Sequence, residues 1–129
     1  MLATVKSVKS TKGASFYELI GANAKLKMLI IGDNGALIPN ERIRISVKSS
    51  DVAVALSPIC DISISNCLKC EVVGLNVGEI LATVTLRLDD ESLIESIITA
   101  SSARGLNLSI GLRVYALIKA TSLFVKERI

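Results

Sequence analysis

The 129 residues include fifteen lysines and arginines against twelve acidic residues, a formal charge of +3, with 50% apolar and 21% charged side chains. Such a balance supplies a core and excludes disorder, and the scattered basic residues do not form the concentrated stripe that a nucleic-acid footprint needs. No apolar run reaches the roughly 18 residues that span a bilayer, and no apolar segment follows Lys6, Lys9 and Lys12 to make a signal peptide, so a cytosolic chain is expected.

Strand period dominates in chain order. Strands are predicted at residues 3–8, 15–20, 25–31 and 42–47, where Ile43, Ile45 and Val47 alternate with Arg42, Arg44 and Ser46. Further strands are predicted at 52–56, 68–75, 82–88, 92–98, 113–118 and 123–125, with Ala82, Val84, Leu86 and Leu88 on one face of their segment. Turn signals separate these runs at Thr11-Lys12-Gly13, Gly32-Asp33-Asn34-Gly35, Pro39-Asn40, Asn76-Val77-Gly78 and Asp89-Asp90-Glu91. One helix is predicted, over 100–104, with Thr99 as its cap and Gly105 as the left-handed residue that ends it.

The pattern occurs twice. Residues 42–54 lie over 113–125 at a constant spacing of 71, and Met1-Leu2-Ala3-Thr4-Val5 lies over Leu68-Lys69-Cys70-Glu71-Val72 at a spacing of 67. A half of about 65 residues buries only about 60% of its unfolded surface, so the two halves are expected to pack together. The fold class predicted is all-β: two tandem OB-like five-stranded barrels, 1–61 and 62–129, joined near residues 58–63, with at most one short helix each.

The three cysteines fall within eleven residues, but with no histidine they cannot complete a four-ligand zinc site. Cys60, Cys67 and Cys70 are expected to be small, mostly buried hydrophobes. The same lack of histidine, and the absence of a G-x-x-x-x-G-K-[ST] loop, excludes acid–base and phosphoryl-transfer chemistry, so no enzyme is expected. A base-stacking platform is excluded by the scarcity of aromatic residues, with Phe124 expected in the core.

Certain residues are more specific. The run Ser63-Ile64-Ser65-Asn66-Cys67-Leu68, then Ile98-Thr99-Ala100-Ser101-Ser102-Ala103 with Gly105 and Gly111 beyond, then Val114-Tyr115-Ala116-Leu117-Ile118-Lys119-Ala120-Thr121, resembles the molybdate-binding Mop (TOBE) family. The first half, ending in Val47-Lys48-Ser49-Ser50-Asp51-Val52, resembles the degenerate first repeat of the di-Mop domain that regulates molybdate ABC transporter ATPase subunits.

The resemblance implies a molybdate- or tungstate-binding chain without cofactor, forming homo-oligomers, and attached in a longer parent to the subunits of a membrane transporter. It also implies an oxyanion site drawing on Ser63, Ser65, Asn66, Lys119, Ala120 and Thr121, with Lys48, Ser49 and Ser50 serving likewise in the first half. Physically, a tetrahedral dianion leaving water needs a donor for each oxygen, and hydroxyls, main-chain amides and an ammonium supply them. By alternation Lys119 points away from its own core, so a ligand there lies between halves or subunits. The family motif has arginine where this chain has Ser65; losing one charged hydrogen bond, worth about 1.5–3 kcal/mol, weakens binding roughly ten- to over a hundredfold. Two alternatives are a free-standing molybdate storage protein and a structural transporter module without ligand. Ser101 and Ser102 read as helix-start residues.

Overall fold

A computed structural model describes residues 1–32 and 36–129. The turn expected at Gly32-Asp33-Asn34-Gly35 falls on residues 33–35 and lies outside the described residues. In chain order the strands are β1 (Leu2–Thr11), β2 (Ala14–Gly21), β3 (Ala24–Ile31), β4 (Arg42–Val47), β5 (Ala53–Ala55), β6 (Asn66–Val77), β7 (Leu81–Leu88), β8 (Leu93–Thr99), β9 (Arg113–Ile118) and β10 (Leu123–Arg128). The one α-helix among the described residues, α1 (Ala100–Gly105), follows β8 directly. Each predicted strand is present, and the apolar set of β7, Ala82, Val84, Leu86 and Leu88, is buried as its period requires.

The strands form two antiparallel five-stranded sheets that curl into half-barrels, ordered β10-β4-β1-β2-β3 and β5-β9-β6-β7-β8. The last strand of each half is exchanged. β5 pairs with β9, placing Ala53 opposite Leu117, while β10 pairs with β4, placing Leu123 opposite Val47. Each sheet is thus completed by the other half of the sequence. One continuous core results, running from Val5, Tyr17, Ile43 and Ile45 to Val72, Val84, Leu86, Val114 and Ile118.

The repeat extends to backbone detail. β1 is bulged between Val5 and Ser7, and β6 between Val72 and Gly74, at matching positions. Val5 N donates to Glu41 O at 2.9 Å and receives Asn40 N on its own carbonyl at 2.7 Å; Val72 does the same with Leu112 O at 2.9 Å and Gly111 N at 2.7 Å. Asn40 (φ 71) and Gly111 (φ 91) both adopt the left-handed conformation that this return into the strand demands.

Three expectations need correction. Thr99 does cap α1, its Oγ1 accepting from Ser102 N at 3.0 Å, but Gly105 is not the left-handed terminator. Gly105 stays within the helix, Leu106 remains right-handed, and Asn107 (φ 52) turns the chain instead, since asparagine also tolerates that region. Phe124 is 45% exposed, because β10 has joined the other half's sheet with Leu123 as its buried residue.

Of the cysteines, only Cys70 is buried; Cys60 and Cys67 are exposed. Cys67 follows Asn66 on β6 and so alternates onto the outer face. Burial, the larger cause, pushes the Cys70 thiol up to about 11, with its Sγ donating weakly to Val114 O at 3.6 Å.

Candidate functional site

Two corners carry the candidate residues, one at the end of β9 and one at the end of β4. Lys119 leaves β9 in an extended conformation (φ −65, ψ 145), and the chain then tightens into the short 3-10 turn Ala120–Ser122, closed by Ser122 N donating to Lys119 O at 2.9 Å. Lys48 leaves β4 in the same way (φ −67, ψ 136), and Asp51 N donates to Lys48 O at 2.8 Å across the turn Ser49–Asp51. Lys119, Thr121, Lys48 and Ser50 are exposed, and Ala120 and Ser49 half-buried. The side chains therefore reach solvent without the desolvation cost that an unpaired buried ammonium would meet.

At the β9 corner the start of β6 lies alongside. Asn66 is the register partner of Ile118, which sets Ser65 next to Lys119, one step further along the ladder. Ser63 and Ser65 are exposed in the segment that leads into β6. Asn66 is 1% exposed, and its carboxamide is already committed. Lys27 N donates to its Oδ1 at 2.8 Å, and its Nδ2 donates to Lys27 O at 2.9 Å. Both hydrogen bonds run from the second half's first strand to β3 of the first half. One of the two Nδ2 hydrogens is thereby committed, and Asn66 fastens the Ser65 segment to β3.

The turn after Lys119 packs on β3, and the turn after Lys48 packs on β8. There Ser96, buried, donates from Oγ to Val52 O at 2.6 Å. In the first half β1 matches β6 from Leu68 onward, Met1 lying over Leu68. The structure thus brings Ser65, Asn66, Lys119, Ala120 and Thr121 together, and leaves Lys48, Ser49 and Ser50 as a second, separate corner. Thr121 also lines an apolar groove with Leu29, Ile31, Leu123 and Phe124.

Lys27 is the residue that sequence reasoning missed. Its alternation with Leu26 and Met28 marks it as outward-facing, but only the Asn66 clamp, which no periodicity encodes, brings its strand to the corner.

A family model for the TOBE domain matches residues 62–125. A probable molybdenum-pterin-binding protein of Haemophilus influenzae is 36% identical over 64 residues, 50% of this chain and 93% of that protein. The molybdenum import ATP-binding protein ModC of Hahella chejuensis is 34% identical over 84 residues, 64% of this chain and 24% of its own length. ModC of Vibrio parahaemolyticus is 36% identical over 94 residues, 69% of this chain and 26% of its own length. The chain thus spans about a quarter of the length of these ATP-binding proteins. Among solved structures, the cytoplasmic molybdate-binding protein ModG superposes with a TM-score of 0.89 over 96% of this chain and 92% of that one, at 23% identity, and so has the same two-repeat fold. With the paired half-barrels, the repeated lysine corners and these relatives in agreement, the chain belongs to the Mop/TOBE family.

Proposed function

We propose that this chain is a non-catalytic di-Mop domain that binds molybdate or tungstate in the cytosol, with repeats at 1–61 and 62–129, and that it regulates a molybdate ABC transporter as the C-terminal domain of its ATPase subunit. The observation that carries the reading is the β6–β9 register, which sets Ser65 beside Lys119 at the mouth of the turn holding Ala120 and Thr121. An ammonium, two hydroxyls and free main-chain amides are donors suited to a tetrahedral dianion. Because Lys119 faces away from its core, a second copy of the chain completes the donor set, so anion occupancy favours association. The ModC relatives support the transporter role.

A second reading, a free-standing molybdate storage protein, is favoured by the relative of which the chain covers 93% and by the whole-chain likeness to ModG.

Thermal unfolding with molybdate, tungstate, sulfate and phosphate tests the binding. A ligand at a hundred times its dissociation constant stabilises by about 2.7 kcal/mol, a shift of several degrees for a chain of this size. Molybdate and tungstate are expected to give that shift, and Lys119→Ala to remove it while leaving the unliganded midpoint unchanged. No shift with either heavy oxyanion would favour a structural module without ligand, and an unaltered response in Lys119→Ala would take Lys119 out of the site.

A further inference from the structure

The two lysine corners share a backbone but not a charge pattern. On β3, Lys27 pairs with Glu18 of β2; on β8, Glu95 pairs with Thr85 of β7. Glu18 and Thr85 occupy the same position of the repeat, 67 residues apart, so Glu95 is the counterpart of Lys27. Each of these strands packs on the turn that follows the other half's lysine: β3 on Ala120–Ser122, β8 on Ser49–Asp51. Within the turns, Asp51 stands where the second half has Ser122, 71 residues on. The β9 corner therefore combines Lys119 with Lys27, whose exposed register partner is Glu18, and has no carboxylate in the turn, whereas the β4 corner combines Lys48 with Asp51 in the turn and Glu95 on the strand.

The supporting framework differs too. Asn66 fastens the Ser65 segment to the main chain of Lys27. Next to the Lys48 corner, Glu95 lines a cleft with Val47, Arg44 and Lys126. Arg44 is paired with Glu127 at 3.4 Å, so Lys126 is the side-chain cation left to offset Glu95.

We propose that the corners are unequal: the Lys119 corner takes the oxyanion with Lys27 as a further binding residue, and Asp51 and Glu95 exclude it from the Lys48 corner. The inference rests on the oxyanion reading above. A unit charge about 8 Å from a dianion changes its affinity roughly fivefold even at the dielectric of water, so the net difference of one charge between the corners, with Glu18 offsetting Lys27 and Lys126 offsetting Glu95, separates their affinities by about fivefold at low salt.

Calorimetric titration of the intact chain with tungstate at low ionic strength tests this. The expected result is one tight equivalent per chain, weakened about fivefold in Lys27→Gln. The double variant Asp51→Asn/Glu95→Gln is expected to take up a second equivalent. Unchanged unfolding midpoints confirm that these variants fold, since the clamp uses the main chain of Lys27 and not its side chain. Two equal equivalents in the unaltered protein, an unweakened Lys27→Gln, or a double variant that still binds one equivalent would each overturn the inference while leaving oxyanion binding intact. No binding by the unaltered protein would instead remove the oxyanion reading and this inference with it.

Discussion

Replacing Asn66 with alanine should lower stability by about 2–4 kcal/mol, since it deletes two hydrogen bonds and leaves the N–H and C=O of Lys27 without their partner. For a chain of this length that corresponds to a fall of roughly 5–15 °C in the unfolding midpoint. The loss is large for a single polar side chain because Asn66 is buried and ties β6 to β3 across the two halves. Denaturant unfolding, read against the unaltered chain, measures it. A change below about 0.5 kcal/mol, the usual range for an incidental surface substitution, would mean that the carboxamide is not a clamp.

Truncation after Ser122 should have a still larger effect, and in an unexpected place. The deleted residues belong to the second half of the sequence, yet β10 lies on β4 of the first half. Its removal strips the β4 edge of its ladder, uncovers the core around Ile43 and Ile45, and removes the Arg128–Glu41 and Arg44–Glu127 pairs. The cost is several kcal/mol, a large part of the 5–15 kcal/mol that holds a typical domain together. Amide hydrogen exchange locates the damage. Protection should be lost first along β4, whereas β9, still flanked by β5 and β6, should keep its own. Loss along β9 with β4 spared would contradict the exchange of strands.

The strands themselves could be read from the alternation of residues such as Ile43, Ile45, Ala82 and Val84, because one buried face imposes a period of two. The two-fold repeat was equally open, since Lys48 and Lys119 end their strands in the same local sequence. The exchange was not. Val52-Ala53-Val54 and Leu123-Phe124-Val125 are both short apolar strands that fit either sheet, and nothing in their periodicity says which edge each one meets. Phe124 was misplaced for that reason: its burial depends on the sheet that β10 joins. Asn66 was recognised as part of the corner, but its commitment to Lys27 depends on a contact between residues 39 apart in the chain. Lys27 and Glu95 lie on strands that pack against the opposite half's turn, a contact that periodicity does not encode. Asn107 and not Gly105 makes the turn after α1, because both residue types can adopt the left-handed conformation and the sequence alone does not rank them.

The most direct test of the central claim, an oxyanion site at the β9 corner, is a crystal grown with excess tungstate and examined at the tungsten absorption edge. The account predicts an anomalous scatterer whose oxygens lie within about 3 Å of the Lys119 ammonium and of donors in the segment leading into Asn66. A crystal in which that corner holds no tungsten and Lys119 extends into bulk solvent would contradict it.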